Sequence, residues 1–333
     1  MFNFSKEQQA LIWNERKRFD LSQQALAARI VANGEMTGNA APIPLDAWRR
    51  IDQRAQAIAR SRLAVFARLA AANTTPVSIA DLVNYYPIVT DSNEVTVSMD
   101  GRVQAKGDQA SIRFAGTPVP IMTTSAKFGW RQYAVMTKGG GMIDTATFGN
   151  GNRRLAEFLE NMALNGLSSV NVAGDTIFGL RNFPSRFTAS HTFTLSTATG
   201  ANWVTAFNQG LTGLESRNQF GPATVFVNQG DYRSAGTRDY AANYTGTILQ
   251  RVLAIPGVQE VVPASSVPAN ELIFVSDLAT GEWGSVLSAM PIVTRPKTRL
   301  DPEDDYNFTM MAAQALQLRA DASGQSAIAH IVL

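Results

Sequence analysis

Side chains with catalytic or metal-binding chemistry are scarce in this sequence. It has two histidines, His191 and His330, far apart along the chain, and no cysteine. A zinc site needs several clustered ligands, and a Ser-His-Asp triad needs a histidine beside its nucleophile. His330 also lies in an apolar segment, 325–333. We therefore predict that both imidazoles are structural. The lack of cysteine excludes disulfides, thiolate catalysis and cysteine-bound metals.

Three further stretches contain residue types used in catalysis or ligand binding. The acidic run DPEDD (301–305) could hold a divalent cation, but it lacks the EF-hand spacing, and a solvated turn between strands is favoured. In KGGG (138–141) the lysine precedes the glycines, whereas a phosphate-binding loop has it after them. Glu157 and Glu160 could be paired carboxylates, but a solvated helix edge is favoured. We predict no catalytic residue, cofactor or metal, and a protein that is not an enzyme.

Charge is low overall and unevenly distributed. Charged residues make up 17% of the chain, against about 25% in average proteins, which suggests that partners cover part of the surface. The net charge is +2, yet residues 1–73 alone carry 11 Lys and Arg against 6 Asp and Glu. A basic segment of this kind is typical of either an arm facing a polyanion or a solvated helix face. Four arginines are candidates for contact with DNA or a scaffold protein: Arg49, Arg50, Arg54 and Arg60.

The first 72 residues are predicted to be mainly helical, and an extended hairpin follows them. Apolar spacing predicts helices over 5–31, with a possible break near 20–22, and over 45–72. From about residue 88 the period changes to two, and Asp100-Gly101 is a hairpin turn signal. This hairpin has too few bulky apolar residues for its own core, so we expect it to pack on another subunit. Its candidate subunit-interface residues are Val95, Val97, Met99, Asp100 and Gly101.

The second half alternates between helices and strands. A glycine-rich hinge is predicted over 138–151, followed by a helix over 152–167. The pattern then predicts helices over 202–217 and 243–254 with strands over 223–228, 257–263 and 271–276, which form an α/β block. Strands over 290–296, 306–320 and 325–333 end the pattern. The hinge candidates are Gly139, Gly140, Gly141, Gly149 and Gly151. No signal peptide or membrane-length apolar run is present, so we expect synthesis in the cytoplasm and no membrane partner.

The order of these elements and several local motifs resemble one protein family. The motifs are PVPIMTTSAKFGWRQ (118–132), NRRLAEFLENMALNGL (152–167), GDTIFGLRNFP (174–184), LQRVLAIPGVQEVVPAS (249–265) and LRADASGQSAIAHI (318–331). Together, over roughly 85–333, they resemble the major capsid protein of tailed bacteriophages, which has the Hong Kong 97-type fold. Encapsulin shell proteins share that fold.

The resemblance implies an α+β fold with a defined domain order. A helical N-terminal arm would occupy 1–84, and an extension loop (the E-loop) with its re-entry strand 85–135. A peripheral domain with a long spine helix and a closing hairpin at 318–331 would take 136–200 and 291–333. An α/β axial domain would take 201–290, with Pro256 and Gly257 in a loop near the centre of a ring of subunits. Lys106 is the one extension-loop lysine considered for a cross-link, and no cross-link is predicted from it.

The function implied is structural. Subunits would associate with each other as pentamers and hexamers of an icosahedral virion shell around non-specifically bound double-stranded DNA, assembled in the cytoplasm of a bacterial host. Portal, scaffold or maturation proteins would be further partners. An encapsulin-type compartment enclosing a cargo enzyme is the alternative, and an enzyme with an α/β core is a third possibility.

Overall fold

The computed structural model describes residues 6–32, 64–90, 97, 99, 109–133, 145–243, 245–301 and 303–333. Its helices are α1 (Lys6–Ala32), α2 (Ala64–Ala72), α3 (Thr145–Asn165), α4 (Gly200–Glu215), α5 (Gln229–Thr237) and α6 (Ile248–Leu253). Its strands are β1 (Thr74–Pro76), β2 (Val83–Val89), β3 (Ile112–Pro118), β4 (Ile121–Phe128), β5 (Leu167–Val172), β6 (Asp175–Ile177), β7 (Phe187–Ser190), β8 (Ala223–Asn228), β9 (Val258–Ala264), β10 (Leu272–Ser276), β11 (Gly284–Pro296), β12 (Tyr306–Leu318) and β13 (Ile328–Val332).

A four-stranded sheet has the order β1-β11-β12-β4, and we use the label peripheral half for this sheet together with helix α3. Its two long strands pair antiparallel, and helix α3 packs across β12 and β4. The stripe Leu155, Leu159 and Met162, which the helical spacing picks out, is buried against this sheet. Helix α1 lies against β11, where Ile12 and Phe19 are buried as their spacing predicts, although Leu11 is 44% exposed.

A five-stranded sheet has the order β7-β13-β10-β8-β9, and we use the label axial half for this sheet together with helices α4, α5 and α6. Its central strand β10 alternates between two cores. Leu272 and Phe274 pack into a cluster with α4, α5 and α6, whereas Ile273 and Val275 pack into the cluster that contains α2 and α3. Because both faces of the sheet are covered, β8 and β10 are nearly continuous apolar runs, as is typical of fully buried strands. The predicted α/β block is therefore present.

The segment 325–333 lies in a different sheet from the one predicted. It was expected to form a closing hairpin with 306–320 in the peripheral domain. Instead β13 pairs antiparallel with β10 and parallel with β7 in the axial sheet. The physical reason is burial: Ile328, Ala329 and Ile331 are all completely buried, and they alternate between the two cores. The domain boundaries expected at 200 and 291 therefore do not coincide with the division between the two sheets. Strands β7 (187–190) and β13 (328–332) were expected in the peripheral domain, but both lie in the axial sheet.

The hinge predicted over 138–151 is wrong at its second half, because helix α3 begins at Thr145 and includes both Gly149 and Gly151. Gly151 is buried, and a Cβ atom there would collide with the side chain of Met310 on β12. The glycine therefore allows helix and sheet to approach closely rather than allowing the chain to bend. The other hinge candidates, Gly139, Gly140 and Gly141, lie outside the described residues, as do Arg49, Arg50, Arg54 and Arg60.

Candidate assembly surface

Strands β2 and β3 form a two-stranded ribbon with one exposed apolar face. Their antiparallel register places Tyr85 opposite Gly116, Pro87 opposite Phe114, and Val89 opposite Ile112. Directly opposed residues lie on the same side of a sheet, so these side chains share one face. We call Tyr85, Pro87, Val89, Ile112 and Phe114 the outer face of the ribbon. The exposed fractions of Tyr85, Val89, Ile112 and Phe114 are 53%, 52%, 61% and 68%.

The opposite face of the ribbon rests on the subunit. Ile88 and Thr117 are 8% and 5% exposed, and the amide of Gly116 donates a hydrogen bond to the carboxylate of Asp175 at 3.2 Å. A Cβ atom at Gly116 would collide with Asp175 and with Val83. Because Gly116 lies opposite Tyr85, this Cβ atom would project from the outer face. Strand β6 therefore covers the outer face at its base, while Tyr85, Val89, Ile112 and Phe114 remain more than half exposed.

The interface residues predicted from the sequence divide into three groups. Val97 is 85% exposed and Met99 is fully exposed. Val95, Asp100 and Gly101, like Lys106, lie outside the described residues. Pro256 and Gly257 form an exposed turn before β9, where Gly257 adopts a φ of 93°. The outer face of the ribbon was not predicted, because YYPIV (85–89) is apolar or aromatic throughout and the sequence alone does not show which of these side chains are exposed.

The segment GDTIFGLRNFP (174–184) caps the end of helix α3. A helix leaves its last carbonyl groups without intrahelical donors. Here the amide of Leu180 donates to the carbonyl of Ala163 at 2.9 Å, and that of Arg181 to the carbonyl of Leu164 at 2.8 Å. The side-chain amide of Asn182 donates to the carbonyl of Asn165 at 2.6 Å. The segment therefore fixes the direction in which the chain leaves the helix.

Gly179 is essential to this cap because it touches the helix end directly. A Cβ atom at Gly179 would collide with backbone atoms of Leu164 and Gly166. Gly166 itself has a φ of 69°, the left-handed conformation typical of a residue that ends a helix. Ile177 and Leu180 are completely or almost completely buried, and they anchor the cap in the subunit core.

A partly buried ionic cluster links this cap to the axial sheet. The guanidinium of Arg181 donates two hydrogen bonds of 2.7 Å to the carboxylate of Glu271, one to each oxygen. Nε2 of His330 lies 2.9 Å from the same carboxylate. Burial alone would raise the pKa of Glu271, but the hydrogen bonds and charges of His330 and Arg181 outweigh it and lower the pKa to about 2. His330 thus has a structural partner, as predicted.

The other histidine also contacts the turn before β10. The ring of His191 lies 3.1 Å from the carbonyl oxygen of Asn270 through Nε2, and it stacks on Phe193 with ring centroids 4.5 Å apart. This burial and the contact through Nε2 fit the structural role predicted for His191. Among the described residues, no three His, Asp or Glu side chains converge on a point where a metal ion would bind.

Glu160 differs from its prediction as a solvated edge residue. Its side chain is buried and accepts hydrogen bonds of 2.9 Å from the amides of Val65 and Phe66, in the first turn of α2. The hydroxyl of Ser266 donates a third at 2.7 Å. Burial raises the pKa of Glu160, and the three hydrogen bonds reduce that rise. Glu160 therefore joins α3, α2 and the axial half, whereas Glu157 is exposed as predicted.

The acidic run 301–305 is an exposed turn between β11 and β12, as predicted. The carboxylate of Asp304 accepts hydrogen bonds of 3.0 Å from the amides of Leu300 and Asp301, and these bonds lower its pKa. The carboxylate of Asp305 forms a salt bridge of 2.8 Å with Lys127 on β4. Both carboxylates thus stabilise the turn itself.

A model of the family described as "Family of unknown function (DUF6260)" matches residues 39–331, which is most of the chain. The chain belongs to this family. A search of curated proteins found no match.

Solved structures show which fold this family member has. The capsid of Myoviridae Phage XM1 matches with a TM-score of 0.64 and 11% identity, over 81% of this chain and 91% of that one. A virus-like particle from Pyrococcus furiosus matches with a TM-score of 0.58 and 11% identity, over 86% of this chain and all of the other. A chain from Mycobacterium phage Adephagia matches with a TM-score of 0.57 and 12% identity, over 79% of this chain and 89% of that one. The α+β capsid fold predicted from the sequence is therefore confirmed. None of the helices in the described ranges is both long and apolar enough to cross a membrane.

Proposed function

We propose that this chain is a major capsid protein, a structural and non-catalytic subunit that associates with copies of itself. Pentamers and hexamers of the subunit would form an icosahedral shell, the capsid of a virion. The observation that carries the proposal is the exposed apolar outer face of the ribbon on a subunit with a capsid fold. Large exposed apolar patches on soluble proteins mark interaction surfaces.

The outer face can supply a useful part of the association energy. Complete burial of a large apolar side chain contributes about 1.5–3 kcal/mol. Tyr85, Val89, Ile112 and Phe114 retain between 52% and 68% of their exposure, so covering them would contribute roughly 4–7 kcal/mol per contact. Association itself costs several kcal/mol in lost freedom of motion, about 4–15 in various estimates. One such contact only approximately offsets the cost of association. A closed ring, in which each subunit makes this contact with the next, therefore suits this surface.

We infer that the shell encloses double-stranded DNA, bound without sequence preference. Support comes from helix α1, which exposes Lys6, Lys17 and Arg18, and from the basic composition of residues 1–73. Contacts of basic side chains with phosphates weaken as salt rises. Portal, scaffold or maturation proteins would be further partners of such a shell, and assembly would take place in the cytoplasm of the bacterial host.

An encapsulin-type shell around a cargo protein is the second candidate function. The virus-like particle from Pyrococcus furiosus supports it, because its chain is matched over its full length. The contents of purified particles separate the two candidates. Nuclease-protected double-stranded DNA in particles from infected or induced cells would support the virion, and a single co-purified cargo protein would support the compartment.

Electron microscopy of the expressed chain tests shell formation. We expect the wild-type protein to elute in the void volume of a sizing column and to form closed shells in negative stain. Phe114→Ser should abolish the shells while leaving a folded subunit, because the Phe114 side chain is 68% exposed and makes little intrasubunit contact. Phe114→Leu, which keeps the surface apolar, is the matched control and should still assemble. A monodisperse wild-type monomer would refute the proposed function.

A further inference from the structure

A cavity of about 410 Å³, open to solvent on one side, lies where helix α1 meets the end of strand β11. Helix α1 contributes Glu15 and Arg18 to its lining. The rest of the lining comes from the end of β11, the residues after it and strand β12: Arg295, Pro296, Lys297, Thr298, Thr309 and Met311. The volume equals that of roughly fourteen waters at ~30 Å³ each, so the cavity can hold a group much larger than a single ion.

The lining of this cavity carries an excess of positive charge. Three of its side chains are cationic, Arg18, Arg295 and Lys297, and one is anionic, Glu15. Glu15 forms a salt bridge with Arg295, whose guanidinium also donates a hydrogen bond of 3.0 Å to the sulfur of Met311. Because this ion pair neutralises itself, Arg18 and Lys297 leave the cavity with a net charge of +2.

The groups that face this cavity have no partners of their own. Arg18 and Lys297 are exposed, and neither side chain forms a hydrogen bond or ion pair within the described residues. A cleft lined by one sign of charge concentrates ions of the opposite sign. Independently, the hydroxyl oxygen of Thr309 is buried in the lining and has no hydrogen-bond partner in the part of the chain that the structure describes. Two cations and an unpaired hydroxyl therefore converge on a space that suits an anion with several oxygen atoms.

We propose that this cavity binds a phosphate group, with Arg18 and Lys297 contacting its oxygen atoms and Thr309 donating a hydrogen bond. The planar guanidinium of arginine matches phosphate oxygens in pairs, and lysine adds a point charge. Pro296 and Met311 provide apolar walls for the atoms attached to the phosphate. A phosphodiester of a nucleic-acid backbone and a free phosphate ion share this chemistry. The first source rests on the proposed function, because DNA inside a shell supplies it, whereas the site itself does not depend on shell formation.

Phosphate bound in this cavity also fastens helix α1 to the peripheral half. Arg18 belongs to the helix and Lys297 to the chain that follows β11, so the site is complete only while the helix lies on the sheet. A ligand that binds one of two states shifts the equilibrium towards that state. We therefore expect the backbone amides of α1 to exchange their hydrogens more slowly when phosphate is bound.

Binding to the dissociated Phe114→Ser subunit tests the site without requiring shells. The affinity for a short fluorescent DNA duplex is measured by anisotropy over a range of salt concentrations. Each phosphate contact contributes about 0.9 to the slope of log affinity against log salt, which corresponds to a factor of about eight between ~1 M and ~0.1 M salt. Lys297→Gln and Arg18→Gln should each reduce the slope by about 0.9 and weaken binding about eightfold at ~0.1 M salt. Arg233→Gln removes the same charge from an exposed position of α5 and should change neither quantity.

Titration calorimetry with inorganic phosphate separates the two sources. Duplex binding that is weakened by both variants, and that phosphate displaces, supports the site with a nucleic-acid phosphate as its ligand. Weakening of phosphate binding alone supports the site with a free phosphate ion. Affinities of Lys297→Gln and Arg18→Gln that are unchanged for both ligands would overturn the site and leave the proposed function intact. Hydrogen exchange in α1 that neither ligand slows would overturn the fastening of the helix. Failure of the wild-type chain to form shells would overturn the proposed function but not the phosphate site.

Discussion

Neutralising Glu271 should weaken the joint between the α3 cap and the axial sheet. In Glu271→Gln the side chain keeps its size but loses its charge, so Arg181 and His330 lose a charged acceptor. The two side chains of the ion pair are 28% and 14% exposed, which makes the site partly buried. Removing one partner from a fully buried pair costs about 3–5 kcal/mol, and surface pairs are worth at most about 1 kcal/mol. We therefore expect a loss of about 2–3 kcal/mol.

Thermal unfolding measures this loss, provided that assembly does not mask it. The variant should be made in the Phe114→Ser background, which keeps the subunit dissociated. One kcal/mol shifts the Tm of domains of 150–250 residues by about 2–4 °C, so a loss of about 2–3 kcal/mol should lower the Tm by about 4–12 °C at pH 7. Glu303→Gln, on an exposed residue of the 301–305 turn, is the matched control and should leave Tm within about 1 °C, since surface changes are nearly neutral.

The pH dependence of the Tm loss in Glu271→Gln tests whether the cluster stabilises the fold electrostatically. The pKa of Glu271 is lowered in the folded state to about 2 from a usual value near 4.5. A lowered carboxyl pKa stabilises the fold fully above the unfolded pKa, and this contribution disappears as the pH falls towards the folded pKa. The Tm difference between the Phe114→Ser protein and its Glu271→Gln variant should therefore narrow as the pH falls from about 4.5 to about 2. A difference that is absent at pH 7, or that does not narrow in acid, would show that the cluster does not stabilise the fold electrostatically.

Two further substitutions test the contacts around helix α3. Gly179→Val should give insoluble or unfolded protein, because its Cβ would collide with the backbone of Leu164, whereas Gly236→Ala, where a Cβ meets only Leu249 at 3.8 Å, should fold normally. Glu160→Ala should lower the free energy of unfolding by about 2–4 kcal/mol in denaturant titrations, since it removes a helix cap and leaves buried donors unsatisfied. Glu157→Ala is its exposed control, and equal effects of the two would contradict the capping role.

Much of the element order could be predicted because each element carries its own local signal. Helix α3 shows a stripe at three- and four-residue spacing, and β8 and β10 are short apolar runs bounded by turns. The turn at 301–305 is predicted by composition alone, since consecutive acidic residues with a proline cannot be buried. These signals depend on sequence neighbours, so one sequence is sufficient to find them.

Features that depend on distant parts of the chain could not be predicted in this way. The sheet in which β13 lies is decided by its pairing with β10, more than 50 residues earlier in the chain, and an apolar strand fits either sheet. Glu160 looks like Glu157 in the sequence, and only the arrival of α2 at its side chain gives it a capping role. Gly149 and Gly151 suggest a loop locally, but the approach of β12 makes the second one a packing residue.

The position of β13 also sets the order of events during synthesis. It lies between β7 and β10, so until it leaves the ribosome β7 has no neighbour in its sheet and one edge of β10 is uncovered. A nascent chain emerges from the ribosome with its N-terminal end first, so the ribbon emerges long before β13 does. Polysomes hold many such chains close together, each displaying an apolar ribbon before its axial half is complete. The axial sheet would therefore be completed only after the ribbon has formed, so the order of synthesis separates the folding of these two parts of the chain.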